Sequence, residues 1–383
     1  MSPTSYRTAP PRDGVAYYTW PGSECQAQVA RTHLQRAEAS FDMAASALVR
    51  RLPKVQLHCH LEGTVRAETF RELAQLRGVD SARANGPLAA TYAFTTFREF
   101  LLTFAEVCKT LQRPEDYARV ARDYVAAAAA QSVRYAEMFI SPSVWTFFHP
   151  DLDVHACVAA MRDVFAVEGE RLGIDVAFIC DLTRNFGVER ALATARSAVE
   201  LAQAGLGVIG VGLGGDEANH PPARYAEPFA FARAQGLHTV AHAGEAAGAD
   251  SVRDAIEVLG AERIGHGVRA LEDPAVVALL ADRGIALELC PTSNRLTGAV
   301  PADEVHPIAA FDAAGVRCTI DADDPELFST TLDQEYALVA SWLGDDAVVR
   351  FAGNAIDASF ASAERKAALR GKLAEASLNM SVP

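Results

Sequence analysis

Two histidines one residue apart, His58 and His60, end an alternating apolar run in the segment KVQLHCHLEG. In a β-strand, residues i and i+2 point to the same face, so both imidazoles can reach one ligand. Imidazole nitrogens are common ligands of divalent transition metals. A pair of this kind is more often structural than ligating, so its interpretation depends on the residues that the fold places beside it.

Further polar residues fall at the ends of other β-rich runs, in the segments AHAGE, GHG and DADDP. Parallel strands of a barrel open at their carboxyl ends into one mouth, so such residues converge. Burying several imidazoles and carboxylates together costs free energy unless they bind a metal or pair tightly. The presence of these segments at other strand ends therefore favours a functional role for His58 and His60.

Three imidazoles and one carboxylate suit zinc or another borderline divalent ion. The predicted ligands are His58, His60, His242 and Asp323, with Cys59 facing away. The chain has no lysine from residue 110 to residue 365, so a carboxylated lysine cannot bridge two ions. We expect one ion, which lowers the pKa of a bound water and presents a hydroxide.

Three residues near these ligands could move or hold protons. Glu245 follows the third predicted ligand by three residues and could act as a general acid with a raised pKa, or simply begin the next helix. His266 could orient the attacking water or accept its proton; a buried structural histidine is the alternative. Asp324 should face away from Asp323 on a strand, so it is better placed to hold the water or a substrate nitrogen.

The elements that position these residues alternate from about residue 52 between β-rich runs and helical segments. The strand candidates cover residues 55–60, 133–140, 174–182, 208–215, 238–245, 263–267, 285–290 and 316–324. Eight near-continuous apolar strands alternating with helices predict an α/β fold, a closed (β/α)8 TIM barrel. A doubly wound open sheet is the competitor, weakened because no GxGxxG follows the first strand.

The gap between the first two strands, residues 61–132, is long enough to form a helical lid over the mouth. Phe97, Phe100 and Phe104 recur there at helical spacing, and plain helix core explains them equally well. The predicted organisation is an N-terminal arm and leading helix at 1–50, then the barrel, with its lid and C-terminal helices, at 51–383.

Composition narrows the partners and the compartment. A net charge of −14 argues against nucleic acid or an anionic membrane surface as the main partner, so a small molecule is expected. Seven scattered cysteines without a CxxC predict reduced thiols and a cytoplasmic protein. The polar, proline-rich start lacks the apolar region of a secretory signal, and no apolar run is long enough to span a membrane.

With these motifs in view, residues 50–360 resemble the adenosine deaminase family of metal-dependent hydrolases. The matching stretches are KVQLHCHLEG, GVGLGGDE, TVAHAGE, RIGHG, CPTSNRLTGAV and DADDPELF, in family order. The resemblance implies a (β/α)8 barrel with one zinc ion. It also implies hydrolytic replacement of the 6-amino group of a purine, with release of ammonia.

The resemblance also implies roles for single residues. The four predicted ligands match the zinc ligands of the family. Glu245 matches the acid that protonates ring N1, His266 the residue that assists the attacking water, and Asp324 the one that holds the water and ring N7. The residues matched to substrate-binding positions are His60, Glu62, Phe100, Phe104, Gly215 and Asp324.

Departures from the family pattern bear on the substrate. At Glu62 many adenosine deaminases carry Asp, matched to the ribose 5′-hydroxyl, and at Gly212 the common motif has Asp. The segment NHPPARY (219–225) resembles adenine deaminases and other branches, whereas GGDE resembles the nucleoside enzymes. We expect an adenosine-type nucleoside, with adenine or 6-amino-6-deoxyfutalosine, a 5′-modified adenosine, as alternatives.

Three other functions make different demands on the residues. A metal-dependent ester or amide hydrolase has no need of Glu245. A catalytically inactive barrel acting as a binding protein predicts lost ligands. A metal-free glycosidase would use Glu137 and Glu217 and gives the histidines no role.

Overall fold

Eight parallel strands form the centre of the molecule in the computed structural model, which describes residues 46–378. In chain order they are β1 (Lys54–His60), β2 (Val133–Ile140), β3 (Asp175–Asp181), β4 (Val208–Gly212), β5 (His238–Ala243), β6 (Arg263–His266), β7 (Ala286–Leu289) and β8 (Arg317–Ile320). Each strand pairs in parallel with the next. All eight predicted strands and the TIM-barrel fold are confirmed.

Strands β4 and β8 end further before their predicted boundaries than the other strands do, and site residues lie beyond both ends. β4 stops at Gly212 and β8 at Ile320, where the sequence suggested 215 and 324. Gly215 has a φ of 95° and Asp323 a φ of 61°, and this left-handed backbone cannot continue a strand.

The barrel closes where the chain beyond β8 meets β1. The Asp323 backbone N–H donates to the His58 carbonyl at 3.0 Å, and the His60 N–H donates to the Asp323 carbonyl at 3.0 Å. Below this bridge, Asp321 Oδ1 accepts from the backbone N–H groups of Leu57 at 2.6 Å and His58 at 3.0 Å. This seam brings Asp323 beside the two histidines of β1.

Helices surround the strands. They are α1 (Ala47–Arg51), α2 (Ala67–Arg77), α3 (Ala82–Asn85), α4 (Phe97–Thr110), α5 (Pro114–Ala130), α6 (Pro142–Phe148), α7 (Val154–Leu172), α8 (Gly187–Gln203), α9 (Ala226–Ala234), α10 (Ala249–Glu257), α11 (Pro274–Arg283), α12 (Pro291–Leu296), α13 (Ile308–Ala313), α14 (Leu332–Leu343), α15 (Asp345–Ala358) and α16 (Ala363–Leu378). Helix α5 packs against α7 and β2, so it belongs to the outer helical layer. Most of the remaining insertion after β1 is α2, α3 and α4.

Helix α4 lies beside the mouth. The Phe104 ring is 6.3 Å from the His60 ring, whereas Phe100 is one layer further out and stacks on Phe328 at 4.8 Å. Phe100 is buried, so both interpretations of the phenylalanine stripe have support: one ring faces the site and another is helix core. That this segment acts as a lid stays a prediction.

The barrel interior has an apolar layer and, below it, a charged one. Phe139, Ile179 and Val240 pack together within the strands. Deeper, the buried Arg263 guanidinium lies between two carboxylates, 2.6 Å from Glu137 and 2.5 Å from Glu288. We call these three residues, Glu137, Arg263 and Glu288, the base network. It gives Glu137 a structural partner, which leaves the glycosidase alternative without its first carboxylate.

Two further expectations can be compared with the described residues. The six cysteines within residues 46–378 are buried and free, as expected of reduced thiols. No helix in this part of the chain is long and apolar enough to cross a membrane. The predicted N-terminal arm lies outside the described residues, apart from its last residues, which form α1 behind a Ser46 cap.

Candidate active site

The four predicted metal ligands meet at the mouth of the barrel. One ligand atom from each of His58, His60, His242 and Asp323 lies within 4.8 Å of all the others, and all four residues are buried. Nε2 of His60 is 3.1 Å from Nε2 of His242. Asp323 Oδ1 is 3.4 Å from Nε2 of His58 and 3.4 Å from Nε2 of His60.

These separations suit a tetrahedral ion. With metal–ligand distances near 2.0–2.1 Å, as for zinc, neighbouring ligand atoms lie about 3.3 Å apart. His58 Nε2 is buried without any hydrogen-bond partner, which is costly unless something else binds its lone pair. The residues present therefore fit one zinc-like ion. A second set within 4.8 Å, His266, Cys290 and Asp323, shares its carboxylate with the first.

The orientation of His58 is fixed from behind. Its Nδ1 lies 2.8 Å from Glu288 Oε2, and a carboxylate can only accept, so Nδ1 carries the proton. Nε2 then presents its lone pair to the other ligands. Asp323 is held in a similar way, because its Oδ2 accepts a hydrogen bond from Ser293 Oγ at 2.6 Å.

Glu217 shapes the loop that carries Glu245. Four successive backbone N–H groups, of residues 244–247, donate to the Glu217 carboxylate at 2.6–3.1 Å, and Ser251 Oγ donates as well. Because its oxygens are occupied by these donors, Glu217 is a structural acceptor. This removes the second carboxylate of the glycosidase alternative.

Glu245 reaches into the site beside His266. Its Oε2 is 3.7 Å from His266 Nε2, which is 3.9 Å from Asp323 Oδ2. Burial, followed by the charges of Asp323 and Glu217, raises the pKa of Glu245 to about 8. A carboxylic acid that is neutral at pH 7 can donate a proton, as a general acid must.

Asp324 and Glu62 form the acidic wall next to the ligands. Asp324 is buried with Oδ1 unpartnered, and burial together with the charge of Asp323 raises its pKa. A Cβ at Gly63 would lie 2.0 Å from Asp324 Oδ1, so only glycine fits after Glu62. Burial raises the pKa of Glu62 to about 7, although it accepts hydrogen bonds.

Those hydrogen bonds occupy one oxygen of Glu62. Oε1 accepts from the backbone N–H of Ser141 at 3.0 Å and from Trp145 Nε1 at 2.6 Å, while Oε2 has no partner. The side chain is fully buried. The structure therefore places Glu62 next to the site with half of its carboxylate already used.

Gly212, one of the departures from the expected family pattern, lies beside a carboxylate. A Cβ at Gly212 would lie 2.6 Å from the Phe139 ring and 3.2 Å from Asp181 Oδ1, an unpartnered buried oxygen. This chain thus has a buried carboxylate on β3 beside Gly212. Gly215, the predicted backbone donor, lies beyond β4 with a φ of 95°.

Sequence reasoning missed several contributors. Phe139 stacks on His60 with ring centroids 5.0 Å apart and also contacts His58 and His242, but a phenylalanine in an apolar strand gives no chemical signal. Glu288 lies near the end of β7 and Ser293 in the quoted segment CPTSNRLTGAV that follows it, so their position was a usable signal.

Comparison with known proteins agrees with this geometry. The adenosine deaminase family model matches residues 53–376. Adenine deaminase of Rhodospirillum rubrum is 37% identical over 331 residues, covering 86% of this chain and 98% of that protein. Aminodeoxyfutalosine deaminase of Streptomyces coelicolor is 37% identical over 345 residues, covering 89% and 88%.

A solved structure supports the same assignment. An amidohydrolase from Burkholderia ambifaria with bound Zn superposes with a TM-score of 0.79 at 30% identity, covering 88% of this chain and 94% of that one. Fold and site thus define a hydrolase of the metal-dependent amidohydrolase type. The chain belongs to the adenosine deaminase family, whose members are deaminases that hydrolyse C–N bonds. The names of the relatives support an aminopurine as the class of substrate.

Proposed function

We propose that this protein is a zinc-dependent deaminase that converts a 6-aminopurine to its 6-oxo product and ammonia. The observation that carries the proposal is Glu245, whose side chain is 11% exposed and 3.7 Å from His266, beside four convergent ligands; its raised pKa supports the proposal. Ester hydrolysis involves no ring nitrogen that such an acid would have to protonate. An inactive barrel would be expected to have lost ligands, and here all four converge.

His58, His60, His242 and Asp323 would hold the ion, which when bound supplies positive charge and lowers the pKa of a water. Glu245 protonates ring N1 while the water oxygen adds to C6, so the ring does not have to carry a full negative charge. One proton of the water restores the acid form of Glu245 and the other passes to the amino group, so that the C6–N bond breaks and ammonia leaves. His266 and Asp324 hold the attacking oxygen on the other side, and the Gly215 backbone N–H binds ring N3.

For the substrate we propose an adenosine-type nucleoside, because GGDE resembles the nucleoside enzymes. The Glu62 carboxylate, matched to the ribose 5′-hydroxyl, is the group that could distinguish adenosine from a 5′-modified adenosine. Its Oε1 already accepts from Ser141 and Trp145, so Oε2 is the oxygen left to accept from a free 5′-hydroxyl. The name of the S. coelicolor relative, an aminodeoxyfutalosine deaminase, is what favours a 5′-modified adenosine over adenosine itself.

Free adenine is the second candidate. It also lacks a 5′-hydroxyl, so it makes no demand on Glu62, and the R. rubrum relative is named an adenine deaminase. A carboxylate without a ribose to bind would then serve only to hold Trp145 and the loop after β2.

The test is ammonia release by the zinc-loaded protein with adenosine, 2′-deoxyadenosine, adenine and 6-amino-6-deoxyfutalosine. We expect the highest kcat/KM with the 5′-modified nucleoside and little activity in a Glu245→Gln control. A higher value with adenine would transfer the assignment to the free base. Deamination of none of the four would contradict the proposal.

A further inference from the structure

A chain of buried polar side chains runs from His266 away from the metal ligands to helix α13. Nδ1 of His266 is 3.0 Å from Asn294 Nδ2, and Asn294 Oδ1 is 3.2 Å from His306 Nε2. The backbone N–H of Ile308, in the first turn of α13, ends the chain 3.3 Å from His306 Nδ1. None of these contacts touches a ligand of the proposed ion.

The backbone fixes the direction of every hydrogen bond in this chain. The Ile308 N–H can only donate, so His306 Nδ1 accepts and the proton of the neutral ring is on Nε2. Nε2–H then donates to Asn294 Oδ1, and the Asn294 amide NH2 donates to His266 Nδ1. Turning the Asn294 amide over would require His306 to accept at both nitrogens, which a neutral imidazole cannot do.

The surroundings keep the chain in this state. Asn294, His266 and His306 are each 3% exposed or less. Burial, assisted by the charge of Arg295, lowers the pKa of His306 to about 3, so the ring stays neutral. Its face stacks on Trp342 with ring centroids 5.5 Å apart.

We propose that Asn294 and His306 are positioning residues that hold His266 as the Nε2–H tautomer, so that His266 donates a hydrogen bond to the reacting oxygen and does not take its proton. Nε2 of His266 lies 3.7 Å from Glu245 and 3.9 Å from Asp323, at the edge where that oxygen must lie. Because Nε2 already carries a proton, it cannot act as the base for water. This resolves the two roles that the sequence left open for His266.

The kinetic consequence rests on the proposed deaminase function, but the tautomer does not, so the two can fail separately. The direct test is a two-bond ¹⁵N–¹H correlation spectrum of ¹⁵N-histidine-labelled, zinc-loaded protein without substrate. Signals of His266 are assigned by their loss in His266→Gln. We expect a protonated Nε2 and an unprotonated Nδ1; a protonated Nδ1, alone or together with Nε2, would overturn the inference.

Asn294→Asp is the sharpest variant, because an ionised carboxylate only accepts and therefore demands a proton on His266 Nδ1. We expect that proton to appear in the spectrum and kcat to fall on the order of 100-fold, with KM little changed. If His266 kept the tautomer of the parent protein, the proposed role of Asn294 would be contradicted. Asn354→Asp is the matched control: Asn354 donates to the Cys318 carbonyl at 3.0 Å on the barrel wall, so the His266 signals should not move.

Two variants of His306 test the other end of this chain of hydrogen bonds, and they remain informative if Asn294→Asp does not fold. His306→Phe keeps an aromatic ring against Trp342 but removes both nitrogens, so the Asn294 amide can turn over and both His266 tautomers should appear. His306→Gln restores a side-chain N–H and should restore the single tautomer and most of kcat. Identical His266 spectra in all three proteins would show that His306 has no part in this chain of hydrogen bonds.

Discussion

The barrel holds buried charges at two levels, and their partners differ. At the base, the Arg263 guanidinium contacts two carboxylates, those of Glu137 and Glu288. At the mouth, Asp323 meets imidazoles and the Ser293 hydroxyl, and Glu62 meets only neutral donors. The two carboxylates at the base share a cation of the chain, whereas Asp323 and Glu62 at the mouth have imidazoles and neutral donors as partners, so a bound cation would offset their charge.

The direction of the pKa shifts separates the carboxylates with a charged or imidazole partner from those without; at the mouth, burial would raise the pKa of Asp323, but His58 and neighbouring imidazoles lower it. At the base, burial would raise the pKa of Glu288, but Arg263 and His58 outweigh it and the pKa is lowered. Elsewhere at the mouth, burial dominates and raises the pKa of Glu245 to about 8 and of Glu62 to about 7. Glu288, which is paired with a cation, has a structural role. Glu245, whose pKa is raised, is available for proton transfer.

The largest effect should come from removing a ligand at the mouth. His242→Ala leaves three of the four convergent donors, so we expect loss of stoichiometric zinc and of deaminase activity, with the barrel still folded. Metal analysis, ammonia release and circular dichroism measure the three outcomes. Activity of the variant without bound metal would contradict the claim that the residues at the mouth act through a bound cation.

Glu245→Gln should cost almost as much activity without touching the ion. Glutamine keeps the size of the side chain but cannot protonate the ring, so kcat should fall by roughly 10²–10⁴-fold. Zinc content and thermal stability should match the parent protein. Near-parent turnover would mean that the raised pKa of Glu245 has no catalytic use.

A change at the base should have the opposite profile. Arg263→Met removes the only cation of the base network and leaves Glu137 and Glu288 buried without it. We expect a loss of roughly 3–5 kcal/mol in the free energy of unfolding, measured by urea denaturation. In protein that remains folded, the Michaelis constant should change little, since Arg263 lies below the site.

Glu288 belongs to both levels, because it contacts Arg263 at the base and His58 at the mouth. Glu288→Gln should therefore lower stability and also weaken zinc binding by roughly 10–100-fold. A competition titration with a chelating dye measures the second effect. A change in stability with unaltered zinc affinity would show that the contact to His58 does not tune the ligand.

The smallest effect should be a pH dependence that is confined to the mouth. Glu245 must be protonated to act, and its pKa of about 8 lies above the usual range. Activity should therefore be full below that pKa and fall as pH rises through it, while a bound cation moves the midpoint downward. The pH–activity profile of the Glu245→Gln variant should lack this fall at high pH. A fall that persists in the variant would belong to another group.

The sequence predicted the strands and the ligands for one physical reason. Near-continuous apolar runs identify buried parallel strands, and an HxH pair at the end of such a run can only present both rings to the mouth. The loops after β4 and β8 were predicted as strand, because the left-handed backbone of Gly215 and Asp323 leaves no hydropathy signal.

Contacts made by distant segments were also beyond sequence reasoning. The bonds from Trp145 to Glu62 and from Asn294 to His266 join residues more than 25 positions apart, and each residue type has many ordinary uses. Glu137 illustrates the opposite error: its strand position suggested a site residue, but the buried Arg263 of β6 makes it structural. Only the three-dimensional pairing of charges separates the two cases.

The central claim is that the four donors at the mouth bind one divalent cation and use it to deaminate a 6-aminopurine. The most direct measurement is a zinc titration of the metal-free protein, with ammonia release recorded at saturating substrate after each addition. The account predicts that activity rises from background in proportion to zinc and stops rising at one ion per chain. Full activity before any metal is added, or a plateau at two ions, would contradict it.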